Sequence, residues 1–485
     1  MTIENATDDP STRDDDGLVR KSGGQRDELV LVVVWCPLEP ARLGEILVLP
    51  RGGEPVLFGR GAREDDDVGD RIAFRRERPG QLVHAGQLRN PFISRTQLEL
   101  RAVEGGVAAR NLGKRAIEIE GVEEAEGTVP IGRTLLVKGQ LLLLCARRKR
   151  PMLEARAAVA AHPFGEADAV GIVGESPAAW ALREQIAFVG PRGPHVLLLG
   201  ESGTGKELVA QALHASSPRA RRKVVARNAA TLPAGLIDAE LFGNVANYPN
   251  PGMPERAGIV GEADGSTLFL DEIGELPDEL QAHLLRFLDE RGEYQRLGDA
   301  RRRTADVRVI AATNRPITDL KHDLAARLQL RVHVPSLNDR IEDVPLLVRH
   351  LLQKIAAHDP ALGERFFAGW DGRRGEPRVS SRLMRALLAH RYTTHVRELE
   401  AILWCALSTS AGVEIDLTSE AGAMIAPAAS PAAAARREAD ADEIRAAMAR
   451  HGGVQEKVWR DLGLPNRHVL QRLLKKHGIR GDADG

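Results

Sequence analysis

At 485 residues the chain exceeds what one hydrophobic core holds, and two to four domains are expected. With 43% hydrophobic and 28% charged residues it has the composition of a soluble globular protein, and a formal net charge of -1 means that any nucleic-acid-binding surface must be local. The three cysteines, Cys36, Cys145 and Cys405, have no paired or CxxC spacing, which argues for a reducing compartment and against a disulfide framework or a zinc cluster.

Residues 1–26 are polar, lack apolar periodicity and are expected to be disordered; with no apolar h-region they do not read as a signal peptide. The longest apolar runs, such as Leu29–Cys36, fall far short of the roughly 18 residues a membrane helix needs, so a cytoplasmic location with no membrane contact is expected. Residues 27–150 read as β. Short runs (Leu29–Trp35, Ile46–Leu49, Leu98–Arg101, Ile117–Ile119 and Leu141–Cys145) are separated by turns with Gly and Pro, the pattern of a sandwich. An Ala-rich linker is expected at 151–168. Strands then alternate with helices over 169–412, as in a parallel α/β domain, with a helical part from about residue 345. A second linker is expected at 413–437, and the tail 438–485 reads as helical.

Within the α/β segment, Gly200-Glu201-Ser202-Gly203-Thr204-Gly205-Lys206-Glu207 fits GxxxxGK, between the apolar run Val196–Leu199 and the helical run Leu208–His214. Such a loop wraps backbone N–H groups around phosphates, and Lys206 neutralises their charge. Glu207 stands where a Ser or Thr would offer magnesium a hydroxyl. About 65 residues after Lys206, the apolar run Thr267–Leu270 ends in Asp271 and Glu272, a carboxylate for magnesium and one to polarise a water. A third run, Val309–Ala312, ends in Thr313 and Asn314, placed to sense a γ-phosphate.

Taken in order, GESGTGKE, Glu240-Leu-Phe-Gly243, GSTLFLDEIGELP, AATNR and His395-Val-Arg397-Glu-Leu-Glu400 resemble the AAA+ domain of sigma-54-dependent transcription activators. The resemblance implies a P-loop ATPase core with a helical lid that takes ATP and Mg2+. It makes Arg397 a lid arginine on the nucleotide and Asn228 the residue restraining Glu272. Arg296 and Arg327 become arginines presented to a neighbouring subunit's nucleotide, so hydrolysis would need a homo-oligomeric ring. The sequence also departs from that family. Asn247–Gly252 occupy the place of its GAFTGA loop, which grips sigma-54, with Pro249 where an aromatic residue belongs. Pro249, Pro251 and Pro254 stiffen the loop, and Val245 replaces a coupling Glu. Lys321 stands at the first finger arginine, and PPLRER reads Pro335-Ser-Leu-Asn-Asp-Arg340. Ordinary contact with sigma-54 and RNA polymerase is therefore not expected, and hydrolysis is left open.

The two ends resemble further families. Between Asn466 and Arg480 there are five Lys or Arg and no Asp or Glu, after a helix–turn–helix pattern starting at Ile444. This resembles the Fis-type helix-turn-helix, implying double-stranded DNA read by Arg467, His468, Gln471 and Arg472, with Lys475 and Lys476 on phosphate. The β segment, through Phe58-Gly59-Arg60, Ile93-Ser94-Arg95 and Asn111-Leu-Gly113, resembles a forkhead-associated (FHA) domain. That implies a phosphothreonine partner held by Arg60, Ser94 and Arg95. Gln97 replaces that family's structural His, and Arg115-Ala116 its Asn-Gly pair. The expected fold class is thus multidomain: an all-β FHA-like sandwich, an α/β AAA+ P-loop NTPase core with helical lid, and a C-terminal helix-turn-helix. Two functions are weighed. One is a DNA-bound regulator whose ring uses ATP; the other is a nucleotide-responsive DNA-binding scaffold or repressor without remodelling activity. A third, a free-standing ATPase unrelated to transcription, is disfavoured by the basic C-terminal helix.

Overall fold

The computed structural model describes residues 26–61, 71–150, 159–231, 236–276, 278–289, 292–425 and 441–451, with Val458 and Leu474. One compact unit carries both the β segment and the α/β segment and reaches Met424. A second takes in the stretch from Ile425 together with Ala389–Arg391. In that second unit a helix spans Ala441–Arg450, and Ile444, Ala447, Val458 and Leu474 are buried, as expected of an apolar helical stripe.

The β segment forms twelve strands: β1 (Arg26–Trp35), β2 (Ile46–Val48), β3 (Val56–Phe58), β4 (Phe74–Arg78), β5 (Gln81–Gly86), β6 (Leu98–Val103), β7 (Gly106–Asn111), β8 (Ile117–Ile119), β9 (Val122–Glu124), β10 (Glu126–Pro130), β11 (Thr134–Val137) and β12 (Leu141–Arg150). They make an eight-stranded sheet, β5-β4-β2-β1-β12-β11-β8-β9, and a four-stranded one, β10-β7-β6-β3. The pairings between strands are antiparallel, in hairpins such as β6–β7 and between strands distant in the chain such as β1–β12. Val30–Val34 and Leu141–Leu144 are buried at nearly every position. Continuous apolar runs of this kind, rather than alternating ones, mark central strands covered on both faces.

The second part of the first unit is built on a five-stranded parallel sheet: β13 (Val196–Leu199), β14 (Val225–Asn228), β15 (Thr267–Asp271), β18 (Arg308–Thr313) and β19 (Leu330–His333), in the order β14-β15-β18-β13-β19. A small hairpin, β16 (Glu293–Gln295) with β17 (Arg302–Thr304), stands outside it. Six helices accompany these strands: α1 (Pro177–Val189), α2 (Lys206–Ala215), α3 (Ile237–Phe242), α4 (Gly258–Glu262), α5 (Asp278–Asp289) and α6 (His322–Arg327). The sheet's side chains divide between two apolar clusters, Leu197, Leu268 and Leu270 in one and Leu198, Phe269 and Ile310 in the other. Each such fully buried side chain contributes about 1.5–3 kcal/mol. The lid follows as α7 (Val344–His358), α8 (Pro360–Phe366), α9 (Ser381–Ala389), α10 (His395–Thr409) and α11 (Ser419–Met424).

Both expected linkers differ from their sequence reading where they are described. Asp168 Oδ1 accepts from the amides of Val170 and Ile172, and its Oδ2 pairs with Arg183 at 3.0 Å, so 159–168 is packed structure. Ile415 is buried and its amide donates to Arg378, which extends the α/β unit past residue 412. Composition signalled a linker in both places because alanine and proline dominate, but a few specific side chains tie the backbone down. Residues 1–25 and 426–440 lie outside the described residues. Among the described residues no helix is long and apolar enough to cross a membrane.

Candidate nucleotide-binding site

Parallel pairing in register brings the chemically loaded strand ends together. Leu199 lies opposite Thr313, Leu270 opposite Ala311, and Asn228 opposite Asp271. The loop after β13 therefore starts beside the ends of β15 and β18, and the Gly200 amide donates to the Thr313 carbonyl at 3.3 Å. Gly203 (φ +78°) and Gly205 (φ +99°) take the left-handed backbone that lets this loop curl into α2. A side chain at Gly203 would meet the Thr394 carbonyl oxygen at 2.1 Å, so the loop is also in close contact with the lid.

Lys206 opens α2 and is buried. Its ammonium donates to the carbonyls of Gly200 and Glu201 at 2.9 and 3.0 Å. Burial pulls its pKa below the ordinary lysine value. Asp271 and Glu272 offset part of that, and Arg397 adds to it. An ammonium stripped of water and satisfied only by neutral carbonyls is a site for an anion. Thr204 Oγ1 donates to the Glu201 carbonyl at 2.8 Å and shapes the loop. Glu207 is exposed, its carboxylate 3.5 Å from Gln211 Nε2, and so lies along the helix surface.

Asp271 and Glu272 are half-buried at the end of β15, the Glu272 amide donating to Asp271 Oδ1 at 3.0 Å. Glu272 sits at φ +54°, a strained conformation for a residue with a side chain. Thr313 is buried, its hydroxyl accepting from the Arg315 amide at 3.0 Å, while Asn314 is exposed just beyond it. Asn228 turns its Oδ1 to the Ala230 amide at 2.8 Å, so its contact is with its own loop rather than with Glu272. The described residues contain no group of three or more His, Cys, Asp or Glu able to hold a metal. A magnesium ion here fits one protein carboxylate, Asp271, with phosphate oxygens and water supplying the rest.

The lid closes this site at three points. His395 Nε2 lies 2.9 Å from Glu201 Oε2, the Val396 amide donates to the Gly203 carbonyl at 3.2 Å, and Arg397 reaches Ser202 Oγ at 3.4 Å. His395 is fully buried, at φ +52° and with Nδ1 unpartnered. Sequence reasoning found Arg397 but not His395, because nothing in a lone histidine two residues away signals a partner so far along the chain. Arg315 was missed too. It donates to the Gly274 carbonyl at 3.1 Å and to Glu275 at 2.6 Å, holding the loop after Glu272 against the end of β18.

Arg296 and Arg327 do not join the site within the chain. Arg296 is buried and its guanidinium pairs with Glu255; Arg327 is exposed on the last turn of α6. The segment in the place of the GAFTGA loop closes on itself. The Asn247 amide donates to Met253, Asn247 Oδ1 accepts from the Gly252 amide, and buried Asn244 donates to the Val245, Tyr248 and Pro254 carbonyls. The Val245 amide donates to the Leu297 carbonyl at 3.1 Å, anchoring the loop beside the β16–β17 hairpin.

In the sandwich, Arg60 and Ser94 meet at one end, the Arg60 amide donating to the Ser94 carbonyl at 3.0 Å. Ser94 Oγ accepts from the Lys114 amide at 3.0 Å. Arg95 is exposed beside them. Gln97 is fully buried and donates to Asn111 Oδ1 and the Arg115 carbonyl at 2.8 and 2.9 Å, joining the two loops as a structural side chain. Arg467, His468, Gln471, Arg472, Lys475 and Lys476 lie outside the described residues.

A parallel sheet in this strand order, with a phosphate-type loop, paired carboxylates and a lid arginine at its carboxyl edge, defines an AAA+ α/β core. The family of the sigma-54 interaction domain matches residues 172–338. The chain is 37% identical over 319 residues to the transcriptional regulatory protein ZraR of Klebsiella oxytoca, covering 62% of this chain and 68% of that protein. It is 36% identical over 318 residues to the Nif-specific regulatory protein of Azotobacter vinelandii, covering 62% of this chain and 58% of that protein. A crystal structure of NtrX from Brucella abortus in complex with ATP is 30% identical, over 63% of this chain and 69% of that one, with a TM-score of 0.45. The chain belongs to the family of transcription regulators that carry a sigma-54 interaction domain. The match spans little more than half the length of the Nif-specific regulator.

Proposed function

We propose that this protein is a DNA-bound transcription regulator whose AAA+ core binds and hydrolyses ATP with Mg2+ in a homo-oligomeric ring. The observation that carries this reading is the desolvated Lys206 ammonium, held only by loop carbonyls and facing Asp271 and Glu272. Lys206 makes no close ion pair with either carboxylate, and a triphosphate supplies an anionic partner within hydrogen-bond reach. Lys206 and the loop amides take the phosphates, Asp271 the metal, and Glu272 orients the attacking water. Thr313 and Asn314 lie at the γ-phosphate side, and Arg397 reaches across from the lid. Arg327, with Arg296 once released from Glu255, supplies charge to a neighbour's site.

The tail binds DNA through Arg467, His468, Gln471 and Arg472, with phosphate contacts from Lys475 and Lys476. The sandwich is read as FHA-like, with Arg60, Ser94 and Arg95 receiving a phosphothreonine; the shared end of Arg60 and Ser94 supports this. The second reading, a nucleotide-responsive scaffold or repressor without remodelling activity, is favoured by the self-closed loop at Asn244–Gly252.

The test is nucleotide binding by titration calorimetry beside turnover. Lys206→Ala is expected to lose ATP binding, whereas Glu272→Gln keeps binding and loses hydrolysis. Undiminished ATP binding in Lys206→Ala removes the site assignment.

A further inference from the structure

Buried charge is concentrated where the core passes into the lid, and three of the side chains involved come from the sandwich. Arg148, at the end of β12 and 3% exposed, lies between Glu77 of β4 at 3.4 Å and Glu342 at 2.8 Å. Glu342 immediately precedes Asp343, which accepts from the amides of Glu175 and Ser176 and from the Ser176 hydroxyl at 2.8, 2.9 and 2.5 Å. The residues leading into α1 and those leading into the lid are thus tied to one another at this point, with Arg340 donating to the Val173 carbonyl at 3.2 Å as a further tie, and Arg148 is inserted beside them.

The sandwich also holds each side of that point separately. Toward the core, Arg78 donates to both Glu175 oxygens and to the His162 and Pro163 carbonyls, with its guanidinium against the Phe164 and Trp180 rings. Toward the lid, the Trp35 indole donates to the Val379 carbonyl at 2.6 Å, and Glu118 pairs with Arg385 at 2.8 Å. Beside the Trp35–Val379 contact the joint opens into a groove. A cavity of about 430 Å³ lies among Trp35, Pro40, Leu43, Val348 and Met384. A joint made of specific polar contacts beside an open groove is of the separable kind, unlike the close-packed interior of a domain.

We propose that the sandwich is a strap across the core–lid hinge, holding the lid in the position in which His395, Val396 and Arg397 grip the phosphate loop. Release of the strap frees the lid and with it the bound nucleotide, a consequence that rests on the nucleotide reading above. Release carries Arg148 away together with Glu77 and leaves Glu342 beside Asp343 without its counter-charge, which makes the contact costly to break. A partner that binds the sandwich more tightly in the released form opens the hinge by that difference in affinity.

The partly exposed pair gives a test that does not disturb the buried network. Arg385→Glu and Glu118→Arg are each expected to speed release of a fluorescent ADP analogue by roughly 1.5- to fivefold, the range of one such pair. Each also raises hydrogen–deuterium exchange over residues 338–348 of the nucleotide-free protein. The double variant, with the charges swapped, returns both readouts to the wild-type values. Unchanged exchange in the single variants, or no recovery in the double, overturns the strap. If the wild-type protein binds no analogue, the nucleotide reading fails, while the exchange measurement still decides the strap.

Discussion

The placement of Asp271 and Thr313 at strand ends, and of Lys206 at the start of a helix, followed from local patterns of an apolar run and the residues just beyond it; their roles at a nucleotide belong to the proposal. His395 and Arg148 were not legible, since each acts through a partner distant in sequence, Glu201 and Glu342, and a charged or imidazole side chain reads by default as solvated. The same holds for His195, which titrates in a testable way. Burial, with Arg308 and Arg219 nearby, pushes its pKa down from 6.5 to about 4, and its Nδ1 accepts from the Val309 amide at 3.0 Å. The neutral ring is thus the native form. Its contribution is fully present above pH 6.5 and is lost as pH falls from 6.5 to about 4, where the unfolded chain takes up the proton first. Urea unfolding between pH 7 and 4 is expected to fall less steeply in His195→Gln than in the wild type; parallel curves would remove His195 as a cause. Gln97 gives a second prediction at this scale. Gln97→Ala removes its buried hydrogen bonds to Asn111 Oδ1, the Arg115 carbonyl and the Ser94 amide, at a cost of about 1–3 kcal/mol, read as a lower denaturant midpoint.

At the scale of elements, the strand ends of the parallel sheet followed from the sequence, while the segment after α3 did not. Its prolines signalled stiffness, but not that Asn244 gathers three carbonyls into a closed loop beside the β16–β17 hairpin. Proline content reports lost donors, whereas closure depends on which acceptors a single asparagine finds in three dimensions. Asn244→Ala is expected to open this loop, at about 1–2 kcal/mol, and to speed its cleavage in limited proteolysis. A closed, anchored loop also predicts no nucleotide-dependent complex with sigma-54, even with a transition-state analogue of ATP. A complex retained in a pull-down would make Asn247–Gly252 a working substitute for the family loop.

Over the whole molecule, the passage from β segment to α/β segment was readable from the change of period, while most of the tail lies outside the described residues. The seams were not readable. Residues 159–168 looked like spacer, yet Asp168 is pinned to Arg183 of the core and the Phe164 ring lies under Arg78 of the sandwich. Composition describes a segment's own preferences and says little about a joint formed with a neighbouring domain. The exposed Arg327 on α6 gains its proposed role only when another copy stands beside it. The account therefore stands most directly on steady-state ATP hydrolysis measured across a protein concentration series, with Glu272→Gln alongside. It predicts turnover per subunit that rises with concentration and vanishes in the variant. Turnover that is independent of concentration, or absent while ATP still binds, would contradict the ring ATPase and leave a nucleotide-responsive scaffold.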